Sequence, residues 1–193
     1  MTGDLHKNKK RIAVADHGHQ ENCNDVRCGA QGQVKFCVPV VFQQELISPT
    51  GGTGALVPLS TVSQNTDNIH GTLKLKFNSN LSRMAYRLYV YNATNPNNFI
   101  TDAHLHGGSA NENGPVIVNL YSGNPRISNG LLAKGLIGNN NIQLISASTG
   151  YAFNSIASLY EGIRRGLVYV NVHSQQFPGG IIRGQVFVDG DSN

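Results

Sequence analysis

The sequence predicts an all-β protein: an antiparallel, Greek-key-like β-sandwich with one short helix and an extended N-terminal arm. Three observations carry that prediction. Apolar and polar residues alternate with period two in several short runs, as strands with one buried face require. The chain holds 22 glycines and only 13% charged residues, and segments rich in Gly, Asn, Ser and Pro recur between the runs, which is the chemistry of tight turns. With 193 residues and 39% apolar content it has material for one core and not for two.

The elements follow in order. Residues 1–33 are polar and without periodicity, and read as a flexible arm carrying Cys23, Cys28, His17 and His19; residues 34–193 read as the folded domain. The opening strand VKFCVPVVFQQELIS contains Pro39, which lacks a ladder donor and therefore predicts an edge position or a break. The segment PTGGTGALVP is a loop. In GTLKLKFN, Leu73, Leu75 and Phe77 face one way and Lys74 and Lys76 the other. After the turn NSNLS, the run RMAYRLYVYN alternates Met84, Tyr86, Leu88 and Val90 against Ala85, Arg87, Tyr89 and Tyr91, so residues 71–78 and 83–91 form a hairpin. Further strands are predicted at 100–106, at 116–121 and in LLAKGLI, with SGNPRISNG as a turn. In NSIASLYEGIRRG, Ile156, Leu159, Tyr160 and Ile163 share a helical face, with Asn154 as the cap at the start and Gly166 at the end, which places a helix over one end of the sandwich. Strands at 167–173 and 181–188 close the domain.

Strand parity then sorts the residues that could carry chemistry. Ala103 and Leu105 take the apolar face of their strand, so His104 and His106 share the opposite face. Val168, Val170 and Val172 do the same for His173, and Ile182, Val186 and Val188 for Arg183. A core histidine would need the other parity. His-x-His on one strand with a third histidine is an incomplete but chemically sound set for copper or zinc, so His104, His106 and His173 are the candidate metal ligands; the competing reading is of solvated or loop-pinning histidines. No Ser-His-Asp, Cys-His or paired-carboxylate arrangement stands out, which argues against an enzyme, and no cofactor is required.

The order AHLHGG, NGPVIVNLY, a Leu-rich helix-like segment and GLVYVNVHSQQFPGGIIRGQV resembles the chordin-type (CHRD) domain family over about residues 36–188. The resemblance implies a β-sandwich of the kind found as repeats in extracellular proteins and as single domains in microbial ones. Ile182 stands where the family commonly has an acidic residue, which puts a salt bridge of Arg183 in question. The layout is also distantly similar to copper–zinc superoxide dismutases; by position, that similarity implies His104, His106 and His173 as copper ligands and Arg183 as an anion-facing or supporting residue. No cluster that would bridge to a second metal lies between His106 and His173, so dismutase activity is not implied.

All three cysteines, Cys23, Cys28 and Cys37, fall near the N-terminus, and an odd number leaves at least one for a free thiol, a metal or another chain. His17, His19, Cys23 and Cys28 are also of types that suit zinc, at a spacing tied to no known fold. Intersubunit disulfides from these cysteines, with the arm adding to a neighbour's sheet edge, predict a homo-oligomer or filament. The formal charge of +4 comes with no aromatic-interleaved basic motif, so nucleic acid is not a predicted partner. No apolar stretch suits a signal peptide or a membrane span. Three functions compete: a self-assembling fibre or adhesin subunit at the cell or spore surface or outside the cell, a copper- or zinc-binding or redox protein, and an extracellular ligand-binding module.

Overall fold

The computed structural model describes residues 34–41, 46–47, 57–58, 68–145 and 150–187. The arm over 1–33, with Cys23, Cys28 and the assembly predicted from it, lies outside the described residues.

Ten strands and one helix are described: β1 (Val34–Val41), β2 (Leu46–Ile47), β3 (Val57–Pro58), β4 (His70–Phe77), β5 (Arg83–Ala93), β6 (Ile100–Gly107), β7 (Val116–Arg126), β8 (Ser128–Gly138), α1 (Ile156–Arg164), β9 (Val168–Ser174) and β10 (Ile182–Gln185). Eight of them form one antiparallel sheet in the order β7-β6-β9-β10-β1-β4-β5-β8, and β2 pairs with β3 separately. β7 and β8 occupy the two edges of the large sheet, yet only Ile127 separates them in the chain. The edges must meet at that corner, so the sheet curls into a nearly closed, barrel-like sandwich. The Tyr86 hydroxyl of β5 donates to the Leu120 carbonyl of β7 at 2.6 Å across the same gap.

The apolar parities read from sequence point inward. Phe36, Val38 and Val40 of β1, Leu73, Leu75 and Phe77 of β4, Met84, Leu88 and Val90 of β5, and Val168, Val170 and Val172 of β9 form one buried cluster. The β4–β5 hairpin forms as predicted, because the Asn78 side chain accepts from the backbone N–H groups of Ser82 and Arg83 and closes the turn. SGNPRISNG is a corner between long strands instead of a turn between short ones; Pro125 is tolerated because β7 is an edge. Helix α1 buries Ile156, Leu159 and Ile163, and Tyr160 packs edge-on against Phe36 and Phe77, so the helix covers the end of the core where β1 begins and β4 finishes. Its N-cap is Ser155, in a reciprocal box with Ser158, one residue beyond the predicted Asn154. Gly166 follows the last turn at φ 68, the left-handed conformation that ends a helix cheaply only in glycine.

Of the two positions predicted for Pro39, an edge or a break, the edge is not found. β1 is interior, between β10 and β4. Its ladder to β4 is unbroken across all eight residues, with Pro39 opposite Thr72. Among the described residues its ladder to β10 is the bridge Val41 to Arg183 alone. The break that proline demands thus lies on one side of the strand. The two backbones still approach closely there, since a Cβ on Gly184 would stand 2.3 Å from the Pro39 carbonyl oxygen. Gly184→Ala is therefore expected to force the β1–β10 seam apart and to cost about 2 kcal/mol, read as a lowered urea midpoint with an unchanged slope.

Candidate metal centre

The register of β6, β9 and β10 sets the rows of the face opposite the core. His104 lies beside Asn171 and Asn171 beside Arg183; His106 lies beside Tyr169 and Tyr169 beside Gln185; Asp102 lies beside His173. Sequence parity suggested an outer surface here. The face is instead buried, with His106 at 8%, His173 at 9% and Arg183 at 1% exposure, and every residue of β9 is buried on both sides. Its cover is two loops, one following each histidine strand: residues 108–115 after His106 and 175–181 after His173.

The structure brings His104, His106 and His173 together, with one ring nitrogen from each lying within 4.8 Å of the others. His104 Nδ1 stands 3.1 Å from His173 Nε2. The covering loops orient two of the rings. His106 Nδ1 is 2.9 Å from the Gly114 carbonyl and His173 Nδ1 is 2.9 Å from the Pro178 carbonyl. A carbonyl only accepts, so both Nδ1 atoms carry the proton and both Nε2 atoms present lone pairs to the cluster. His106 Nε2 is buried and, among the described residues, has no hydrogen-bond partner. An orphaned buried acceptor beside two further imidazoles has room for a further partner, of which a cation is one.

The electrostatics keep these rings neutral. Burial lowers the pKa of His106 to about 4 against the opposing pull of the Gly114 carbonyl, with His173, His104 and Arg183 adding repulsion. Burial also lowers His173, partly offset by the Pro178 carbonyl and Asp102, and lowers His104, with His173 contributing. At neutral pH all three rings are therefore uncharged, with His104 Nδ1 donating to the lone pair of His173 Nε2.

Arg183 lies in the wall of this site. Its Nη2 donates to the Ser109 and Glu112 carbonyls at 2.8 and 2.9 Å, its Nη1 to Asn113 Oδ1 at 2.9 Å, and its guanidinium carbon sits 3.4 Å from the centre of the Tyr169 ring. The Tyr169 ring in turn stacks on His106 at 4.9 Å and 12°, and its hydroxyl accepts from the Gly114 N–H at 3.0 Å. Gln185 Nε2 donates to the Gly108 and Gly166 carbonyls. The guanidinium thus holds the 109–113 loop down on His106. The Glu112 carboxyl is lowered from its ordinary value, first by the hydroxyl of Tyr151 and then by Ser109. Tyr169, Gly114 and Pro178 were not singled out from sequence; the available signal was that each histidine strand runs straight into a Gly- and Pro-containing loop. Cys37, on β1 opposite Lys74, stands apart from this face; it is disulfide-bonded, and the other half of that bond is outside the described residues.

A family model for the CHRD domain matches residues 50–186. The chain belongs to the CHRD domain family. The match takes in all three histidines, both covering loops and Arg183. No curated protein and no solved structure matches the chain. Among the described residues of this CHRD domain, no helix is long and apolar enough to cross a membrane.

Two outcomes are expected of the metal-free protein. Because the folded pKa of His106 lies below the unfolded value of about 6.5, the unfolded chain binds the proton first, so stability is complete above pH 6.5 and falls as the pH drops toward 4. His106 alone contributes a loss of about 3 kcal/mol, and denaturant curves at pH 7 and pH 4 should show His106→Asn with a correspondingly flatter pH dependence. Arg183→Leu leaves buried carbonyls without donors and should cost about 3 kcal/mol in the same assay.

Proposed function

We propose that this CHRD domain is a metal-binding module that holds one copper(II) or zinc ion on His104, His106 and His173. The observation that carries the reading is the buried, unpartnered Nε2 of His106, aimed at two other imidazoles. Three neutral nitrogens leave a coordination position for a water or an exogenous ligand, and His104, the half-buried member, gives that position its access to solvent. The role is one of binding and not of turnover. The rings of His106 and His173 are tied to backbone carbonyls, His104 is bonded to His173, and the nearby carboxylate of Glu112 is engaged by Ser109 and Tyr151. The family resemblance supports an extracellular or cell-surface setting, and there a histidine-only site competes well because its ligands need no reduction to stay competent.

Calorimetric titration at pH 7 should give one equivalent of copper(II) or zinc per chain, with the His104→Ala, His106→Ala double variant at least about a hundredfold weaker. Metal at a hundredfold excess over Kd should stabilise the fold by about 3 kcal/mol, reversed by chelator. Equal uptake by wild type and double variant would remove the site.

A further inference from the structure

The turn that joins β4 to β5 carries chemistry independent of the histidines. Residues 80–82 read Asn-Leu-Ser and residues 92–94 read Asn-Ala-Thr, two copies of the Asn-x-Ser/Thr pattern that accepts an N-linked oligosaccharide. The sequence gives no reason to prefer one of them, and the structure does. At the first, Leu81 takes φ 50 and packs against the core, while Asn80 and Ser82 on either side of it are exposed. The Ser82 hydroxyl donates to Asn80 Oδ1 at 2.7 Å and accepts from Asn78 Nδ2 at 3.0 Å, and the Ser82 N–H donates to the same Oδ1 at 3.3 Å. The carbonyl end of the Asn80 amide is thus held by the residue two places on, and its nitrogen is left without a partner among the described residues. Ser82 also lines an open cavity of about 490 Å³ with Arg83, Leu136 and Asn140, so there is space for a sugar beside the turn.

The second copy is built differently. Asn92 is half-buried at φ 62, its Nδ2 donates to the Asn68 carbonyl at 3.2 Å, and Ala93 is fully buried. It also lies inside the register shift between β5 and β8, where its N–H donates to Asn129 Oδ1. A glycan there would have to displace a hydrogen bond and crowd an irregular stretch of the ladder.

We propose that Asn80 is an acceptor for an N-linked oligosaccharide and that the fold closes the Asn92 copy. In the transfer, Asn80 Nδ2 bonds to the anomeric carbon of a lipid-pyrophosphate-linked oligosaccharide. The bond from that carbon to the pyrophosphate oxygen breaks, the lipid pyrophosphate leaves, and one Nδ2 proton passes to a base of the membrane-bound transferase; nothing is oxidised or reduced. The product amide keeps its oxygen, and with it both bonds from Ser82, so the turn survives the modification. Leu136, exposed at 67% in the cavity wall, gives the apolar face of a sugar ring a contact. Transfer of this kind acts on exported chains, and the disulfide at Cys37 fits the same oxidising route.

The test secretes the full chain from yeast behind a cleavable leader, with the cell's own lipid-linked oligosaccharide as donor. Glycans are located by peptide mass spectrometry before and after amidase release, which converts the carrier asparagine to aspartate. The secreted chain should carry one glycan, on Asn80. Ser82→Ala should abolish it and Ser82→Thr should retain it, since a threonine hydroxyl can make the same donor bond. Thr94→Ala removes the second pattern while leaving the Asn92 side chain in place, and should leave the number of glycans unchanged. The glycosylated chain should melt no lower than the same chain after amidase treatment. An unmodified Asn80 in the secreted chain, or an Asn92 occupied as fully as Asn80, overturns the inference.

Discussion

The clamp that Arg183 places on the 109–113 loop is the interaction on which the rest of the site depends. A sandwich buries the inner faces of its sheets and ordinarily leaves the outer ones to water. Here the outer face of β6, β9 and β10 is buried too, and a buried guanidinium is stable there only because backbone carbonyls, the Asn113 amide and the Tyr169 ring together receive it. Remove that charge and the loop loses the reason to lie flat; without the loop, His106 loses both its burial and the carbonyl that fixes its ring. The site is thus made by the cover as much as by the histidines.

The same cover explains why a cluster of imidazoles can remain uncharged. Three histidines on a solvated sheet would titrate near their ordinary value and repel one another as the pH fell. Under two loops, desolvation dominates, and the carbonyls of Gly114 and Pro178 pull weakly in the opposite direction while choosing the tautomer. The Nε2 lone pairs of His106 and His173 are directed inward by carbonyls that hold the far side of each ring.

Most of the architecture was legible in the sequence, for a simple reason: period-two alternation in β4, β5, β6 and β9 reports which side chains are buried, and local turn chemistry reports where each strand stops. The convergence of His104, His106 and His173 was legible in part, because parity places them on one face, whereas the neighbouring of β6 and β9 that gives them a common centre is a matter of sheet order. Parity also misled on one point. It distinguishes the core from the other face but says nothing of what lies over that other face, so Arg183 read as outward when it is almost fully buried. Pro39 shows the converse: the missing donor was real, but a strand has two sides, and the sequence does not say which of them gives up its ladder.

The pairing of β1 with β10 also determines how such a unit can be joined to others. These are the first and last strands of the sheet, they run antiparallel, and Val41 sits beside Arg183, so the start of β1 and the end of β10 lie at the same end of the sandwich. Entry and exit points that are neighbours allow a domain to be strung in tandem or inserted within a host chain on short linkers, without threading the chain back across the body. Each copy in such an array would keep its closed corner and its 175–181 loop at the end away from the junction, free to carry different ligands on a common support.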